Sequence, residues 1–518
     1  MKYLVRKEEM KRYDANTTAY FGIPSMVLIE RAALAAVEEL AGMGICTGSR
    51  ILIAAGTGNN GADGLAMARL LQLMGHEVLV LVSDDRTRAT EENREEYAIA
   101  ERYGIAHESF DGFLAGIEEH EDYAGACRYD VIVDAVFGVG LSRRIEGTLA
   151  RLLTCLNDLP GKKLAVDIPS GIDADDGSVL GTAFRADLTV TFSYEKLGMR
   201  LFPGQEYCGR IVCRSVGIDD CSFLAGQGGQ KPAAAALTRA DLALVPARRP
   251  RTNKGSYGRV LVIAGCAGMA GAAYFSAKAA YLSGCGLVRI LTPEENRVII
   301  QSTLPEAVLT TYDGSRPDGK LTAEALRWAD AVVCGPGLGT SDAARELVHT
   351  ALQAQVPLVL DADALNILAE EPEALRNSPA KRIITPHLGE MARLVKAPVC
   401  EIRDRLTRTA EEFARSYRLI CVLKDARTVT AVADGMTYVN LSGNNGMATG
   451  GSGDVLTGVI AGLLAQGLEP ELAAPLGVYI HGAAGDEAAG RTGRYSLTAQ
   501  TLLDALPAMF LKKEGMEQ

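Results

Sequence analysis

The chain has 518 residues, 48% apolar and 23% charged. This is an ordinary globular balance, which excludes wholesale disorder and, at roughly 150 residues per domain, allows two or at most three cores. Lys and Arg number 53 against 64 Asp and Glu, a net charge of −11, so the basic footprint of a nucleic-acid binder is missing. The one basic stretch, Arg248, Arg249, Arg251 and Lys254, reads as solvated surface. Glycine is in excess, 55 residues or about 11% against a usual share of roughly 7%, without a collagen period. The surplus therefore belongs in loops that need unusual backbone angles or close approach.

The opening MKYLVRKEEMKRYD is charged throughout and lacks the apolar region of a secretory signal. Residues 1–40 read as two amphipathic helices joined around Gly22-Ile23-Pro24. Strand-length apolar runs follow at Ile51–Ala55, Val78–Val82, Val131–Val136, Leu164–Asp167 and Leu188–Phe192. After them CSFLAGQGGQKPAAAAL, Cys221–Leu237, has linker composition. Further strands are read at Val260–Ala264, Leu287–Leu291, Ala331–Cys334, Leu358–Asp361, Ile383–Thr385 and Ile420–Leu423. Strands alternating with helical patterns imply parallel sheets covered on both faces. The charge-free run Val260–Ala277 carries three glycines and reads as strand, loop and helix, so no membrane association is expected. The 11 cysteines form no CxxC pair, which suits reduced thiols and a cytoplasmic location. The halves are not repeats of each other.

In the first half the strand RILIAAG leads into Gly56-Thr57-Gly58-Asn59-Asn60-Gly61, then Ala62-Asp63-Gly64 and a helix. This matches GxGxxG in a strand–turn–helix setting. Two adjacent carboxamides and the carboxylate of Asp63 count against a pyrophosphate on the loop. Asp63 is either a helix N-cap or a ligand-facing group. Asp134 lies inside the apolar run VIVDAV, and Asp167 and Ser170 stand at the end of KKLAVDIPSG, at carboxyl edges where open α/β sheets bind ligands. A buried Asp must be hydrogen-bonded, paired or cation-bound, and an oxygen set of this kind suits a hard cation.

GTGNNGADG, VDAVFGVGLSR and VDIPSGIDADDG, preceded by GIPSMVLIERAA, resemble the NAD(P)H-hydrate epimerase domain family over about residues 1–220. The resemblance implies that Asn59, Asn60, Gly61, Ala62 and Asp63 hold the hydrated nucleotide. It also implies that Asn60, Asp134 and Ser170 ligate K+. Gly138, Val139, Gly140, Leu141, Ser142, Arg143, Arg144 and Asp167 complete the substrate site, with Asp167 chosen for proton transfer near C6. The chain departs from the family in having Ala62 where a second glycine is usual, and Glu30-Arg31-Ala32-Ala33 where Glu-Asn-Ala-Gly is usual. Alanine fits at 62 provided that φ stays negative.

In the second half Thr449-Gly450-Gly451-Ser452-Gly453-Asp454 opens the helical pattern VLTGVIAGLLAQG. Gly450, Gly451, Ser452 and Gly453 would aim amides at one point and form an anion hole for a moving phosphoryl group. Asp454 at its rim can take a proton from a hydroxyl. Gly335-Pro336-Gly337-Leu338-Gly339 follows another strand. His387 can be a satisfied turn residue or a ligand contact, Lys424 can serve a phosphate or ribose, and His481 reads as core.

These features resemble the ribokinase-like superfamily. KGSYGRVLVIAGCAGMAGAA, GPGLG, LDADALN, TPHLGE, VLKDART and NGMATGGSGD, in that order, resemble the ADP- or ATP-dependent NAD(P)H-hydrate dehydratase family over 235–510. By this resemblance Ala272, Gly339, His387 and Asp454 contact the hydrate. Lys424, Asp425, Ala426, Arg427, Thr428 and Gly453 contact the nucleotide, with Mg2+ balancing its charge. The expectation is two doubly wound α/β domains, an N-terminal Rossmann-like three-layer sandwich at 1–220 and a C-terminal ribokinase-like domain at 238–518, joined by a linker at 221–237. The implied activity is repair of NADHX and NADPHX, by epimerisation at C6 and then dehydration driven by ADP or ATP. ADP is the favoured donor because the fusion looks prokaryotic, and a homo-oligomer is expected. A vitamin or sugar kinase would share the anion hole and Asp454, and a non-catalytic first domain is the other alternative.

Overall fold

The computed structural model describes residues 1–119, 129–225, 229–313 and 316–516. The chain divides into two compact units, Tyr3–Ala234 and Ala235–Gln518, the latter with Met1–Lys2.

In the first unit a seven-stranded sheet runs in the order Ala106–Ser109, Glu77–Val82, Arg50–Ala55, Val131–Ala135, Lys162–Val166, Leu188–Phe192, Arg210–Arg214. All the pairings are parallel. Successive side chains of a strand face opposite sides, so Ile51, Ile53 and Ala55 enter one core with the helices Lys7–Ala19, Ser25–Ala41 and Asn59–Leu73. Leu52 and Ala54 enter another with Phe110–Glu119 and Gly147–Asp158. This is the expected three-layer arrangement. Strand order reverses between Arg50–Ala55 and Val131–Ala135, which opens a crevice above their carboxyl ends. The strand ends at Val166, one residue short of expectation, because Asp167 adopts φ +67°. Ala106–Ser109 and Arg210–Arg214 were not expected; they are short edge strands with half-exposed or exposed residues and carry no continuous apolar run.

The second unit has a parallel sheet in the order Val308–Tyr312, Leu287–Pro293, Arg259–Ile263, Ala331–Cys334, Leu358–Leu360, Arg382–Ile384, Ile420–Leu423. Val429–Val432 and Thr437–Val439 extend it antiparallel. Val260 and Val262 meet a core formed with the helices Ala270–Leu282, Ser452–Ala465, Pro470–Thr492 and Ala499–Glu514. Ser452–Ala465 lies so close to Ala270–Leu282 that a Cβ on Gly458 would stand 2.1 Å from the Ser276 carbonyl oxygen, and glycine is what allows the helices to approach. Among the described residues no helix is long and apolar enough to cross a membrane.

The stretch read as a linker contains ordered structure on either side of 226–228, which lie outside the described residues. Cys221–Leu224 is a helical turn whose buried Phe223 stacks against Tyr3, Tyr13 and Tyr194 at ring-centroid distances of 5.3, 4.5 and 5.0 Å. Ala234–Ala236 is a buried strand. Small residues there serve packing, a use that composition cannot distinguish from flexibility.

Candidate active sites

A cavity of about 600 Å³ lies at the crevice of the first unit. The glycine loop forms its floor. The helix begins at Asn59 with Gly58 as N-cap, so Asp63 is not the cap and instead lines the cavity from the next turn, only 8% exposed. Gly61 packs so tightly that an added Cβ would stand 1.9 Å from the Gly56 carbonyl oxygen. Ala62 is helical and fully buried, so alanine fits there without strain. The buried Asn93 amide donates to the carbonyls of Gly56 and Gly58, both at 3.0 Å, and clamps the loop from outside.

Asn59, Asn60, Gly138, Val139, Gly140, Leu141, Ser142, Arg143 and Asp167 all line the cavity. Arg144 does not; it is exposed beside Glu146 at 3.9 Å. Asp134 is wholly buried under the loop. Its Oδ1 accepts from Ser170 Oγ at 2.7 Å and from the Val136 amide at 3.1 Å, and its Oδ2 accepts from the Ser170 amide at 2.7 Å. Burial pushes its carboxyl up to about 6, against the lowering by these hydrogen bonds. The Phe137 amide donates to Ser170 Oγ at 2.8 Å. The Asn60 side-chain oxygen and nitrogen are buried without a hydrogen-bond partner, and the oxygen is 3.2 Å from where a Gly138 Cβ would sit. A buried, orphaned carboxamide oxygen is a donor of the type that fits a hard cation.

Two groups in this cavity, Lys196 and Asp14, carried no sequence signal. Lys196, 1% exposed, ion-pairs with Asp167 Oδ1 and donates to Thr191 Oγ1 at 2.8 Å. Its backbone pairs in parallel with Val5, outside the seven-stranded sheet. Asp14 lines the wall, its carboxyl raised by burial and by Asp167.

In the second unit Gly451 caps the helix Ser452–Ala465 in the left-handed region, φ +87°. An added Cβ there would meet Ala499 Cβ at 2.8 Å and the Phe275 ring at 3.0 Å. Gly450 is exposed, with open space around it, so no side chain plugs the turn. The Ser452 amide is already engaged with the Thr449 carbonyl at 3.4 Å. The ring Nε2 of His481 lies 2.9 Å from the Ser452 carbonyl oxygen. Burial lowers this imidazole to about 4, so it is neutral and donates that hydrogen bond.

Asp454 is half-buried in the first helical turn. Burial, then Asp361, raises its carboxyl to about 6 despite Lys424. Lys424 Nζ donates to Asp361 Oδ1 at 2.7 Å and lies 3.3 Å from a Cβ placed on Gly453. Burial works against its charge, but Asp361 and Glu390 outweigh it and hold the ammonium above its usual range. Asp361 also accepts from Thr385 Oγ1 at 2.7 Å. Asp361 was read only as a strand end, so its pairing is new. A bridge sets His387 beside Lys424. His387 proves to be an N-cap, its Nδ1 accepting from Gly389 at 2.9 Å and Glu390 at 3.3 Å, while its side chain stays 54% exposed.

Gly339, φ +76°, donates its amide to Asp363 Oδ2 at 2.8 Å. Ala272 is half-buried in the helix Ala270–Leu282, packed under Gly337. Asp425, Ala426, Arg427 and Thr428 form the turn after Ile420–Leu423, closed by the Asn440 amide on the Thr428 carbonyl at 2.9 Å. Among the described residues no three His, Cys, Asp or Glu side chains are arranged to hold a metal ion.

Fold and sites define a fusion of two α/β enzymes, one with a crevice over a glycine loop and one with a glycine-capped helix start beside a raised carboxyl. The chain belongs to the bifunctional NAD(P)H-hydrate repair enzyme family. A family model described as NAD(P)H-hydrate dehydratase matches residues 260–508, and one described as YjeF-related protein N-terminus matches 25–198. The bifunctional NAD(P)H-hydrate repair enzyme Nnr of Moorella thermoacetica is 39% identical over 519 residues, 98% of this chain and 96% of that protein. The Escherichia coli K12 protein of the same name is 34% identical over 509 residues, 96% and 92%. The solved ADP/ATP-dependent NAD(P)H-hydrate dehydratase of Bacillus subtilis, co-crystallised with ATP and Mg2+, is 33% identical. It covers 53% of this chain and 97% of that one at a TM-score of 0.48.

Proposed function

We propose that the chain repairs hydrated nicotinamide cofactors. The domain at 1–220 interconverts the 6R and 6S hydrates, and the domain at 238–518 converts the 6S form to NAD(P)H with ADP or ATP as phosphoryl donor. The observation that carries this reading is Asp454, raised to about 6 at a helix start beside the Lys424–Asp361 pair. A carboxylate so poised is a working base near neutral pH and accepts the proton of the 6-hydroxyl. The hydroxyl oxygen then attacks the terminal phosphorus, the phosphoanhydride bond breaks, and AMP leaves from ADP or ADP from ATP. The open amides at Gly450, Gly451 and Gly453 receive the phosphoryl charge, and Lys424 faces the transferred group. Phosphate leaves C6 far more readily than hydroxide does, and loss of a C5 proton restores the ring double bond.

Ala272, Gly339 and His387 border the hydrate, and Lys424 to Thr428 with Gly453 border the nucleotide. Mg2+, carried on the nucleotide phosphates, would supply charge neutralisation for the transfer. In the first domain Asn60, Asp134 and Ser170 would hold K+, which supplies a fixed positive charge under the substrate. ADP as donor, a cytoplasmic location and a homo-oligomeric state belong to the same reading. The test supplies pure 6S hydrate with ADP or ATP and Mg2+. Free phosphate released in step with NAD(P)H supports the reading; a stable phosphorylated product would indicate a kinase instead.

A further inference from the structure

The cavity of the first unit is lined by Asp14, Asp63 and Asp167 together with Lys11, Arg143 and Lys196, and of these cations the buried Lys196 is already committed. Lys196 Nζ contacts Asp167 Oδ1, Thr191 Oγ1 at 2.8 Å and the Phe192 carbonyl at 3.5 Å. Its three donors are spent, so it can neither shuttle a proton nor serve a second acid. Thr191 Oγ1 lies 3.3 Å from the same Asp167 oxygen, and the Val139 amide donates to Asp167 Oδ2 at 3.3 Å. Asp167 therefore has donors on both oxygens and is held in place by a left-handed backbone, φ +67°.

Asp63 faces the same cavity from the helix and has no such partner group. The charged groups that act on it are Asp167, Asp14 and Glu96, which raise its carboxyl, and Lys196, which lowers it. Burial first, then the three acidic neighbours, keeps its carboxyl well above the ordinary carboxylate range. The two carboxyls share one cavity but differ in surroundings, with donors on both oxygens of Asp167 and desolvation without such partners at Asp63, a contrast of the kind that separates acid from base.

The chemistry needs such a pair. A hydroxyl on C6 beside the ring nitrogen N1 is a carbinolamine, and its stereocentre is erased when the ring opens. Opening breaks the O–H bond and the C6–N1 bond, and forms the C6=O bond and an N1–H bond. One group must take the hydroxyl proton and another must give a proton to nitrogen. Rotation about the single C5–C6 bond, followed by the reverse proton transfers, closes the ring on the other face. No oxidant or co-reactant enters, and both carboxyls return to their starting states.

We propose that Asp167 is the base and Asp63 the acid of this ring opening, with Lys196 the positioning residue that holds the Asp167 side chain in place. The inference rests on the epimerase reading above and deepens it.

The test uses the full-length chain and pure 6R hydrate, with conversion to the 6S form followed by chromatography. Asp63→Asn keeps size and a donor but cannot release a proton, so kcat for epimerisation should fall about 100-fold or more while KM stays within a few-fold. Asp63→Glu should restore part of kcat. Lys196→Met should lower kcat and Lys196→Arg should recover it, a pattern that a purely structural lysine would not give at constant KM. Far-UV circular dichroism melts establish that each variant is folded. An unfolded Asp63→Asn chain leaves the decision to Asp63→Glu, which must then retain epimerisation at reduced kcat with unchanged KM. Wild-type kcat in Asp63→Asn, or a KM effect alone, would overturn the assignment. A wild-type chain that fails to epimerise 6R hydrate at all would instead overturn the functional reading on which it rests.

Discussion

Gly451→Ala probes the anion site through its backbone. An L-residue in the left-handed region costs about 1–2 kcal/mol. The new methyl would stand 2.8 Å from Ala499 Cβ and 3.0 Å from the Phe275 ring, an overpacking worth about 1–3 kcal/mol. Together these predict a loss of about 2–5 kcal/mol. The chain's one tryptophan, Trp328, belongs to the second unit, where Arg289 lies over its ring at 4.5 Å. Its fluorescence therefore reports that unit's unfolding in urea. With a slope of about 2–3 kcal/mol per molar, the midpoint should fall by roughly 1–2 M. Gly450→Ala is the control, because an added Cβ there meets nothing within 4 Å and should shift stability by less than about 0.5 kcal/mol. Dehydration should fall in Gly451→Ala while epimerisation persists. Equal midpoints for the two variants, or an unchanged midpoint in Gly451→Ala, would refute the reasoning.

Other consequences are equally measurable. Asp454 must be ionised to act as base, so dehydration of 6S hydrate should decline as pH falls through about 6, and Asp454→Asn should abolish it without touching epimerisation. Asp134→Ala should remove epimerisation and its potassium dependence while dehydration of pure 6S hydrate continues; equal damage to both would contradict separate sites. His481 is held near 4 in the fold against an ordinary 6.5, so its share of stability is complete above pH 6.5 and is lost as pH falls toward 4, about 3 kcal/mol in all. Trp328-monitored denaturation at pH 7 and pH 5 should show that slope reduced in His481→Asn.

What the sequence disclosed followed from periodicity and from spacing. Unbroken apolar runs such as Val131–Val136 announced buried parallel strands, and glycine clusters at strand ends announced both sites. Lys196 was invisible because YEKLG looks like any surface turn. Only the fold brings it under Asp167 across 29 residues of chain. Asn93 lies in the acidic helix Glu91–Arg102, and its clamp on the glycine loop is a contact that local pattern cannot encode. Asp361 read as the end of a strand, since its pairing with Lys424 depends on which strands lie side by side in the sheet. The packing of Phe223 was hidden for the same reason: one aromatic residue in a small-residue stretch finds three distant rings, while the division between the two units, at Ala234 and Ala235, falls inside the stretch read as a linker.

The sharpest test gives the whole chain a mixture of 6R and 6S hydrate with ADP or ATP and Mg2+, and follows recovery of absorbance at the reduced-nicotinamide band. The wild type should restore the full signal, Asp167→Asn only the share present as 6S before slow uncatalysed exchange, and Asp454→Asn none. Full recovery by Asp454→Asn, or no recovery by the wild type with either nucleotide, would contradict a repair enzyme built on these two sites.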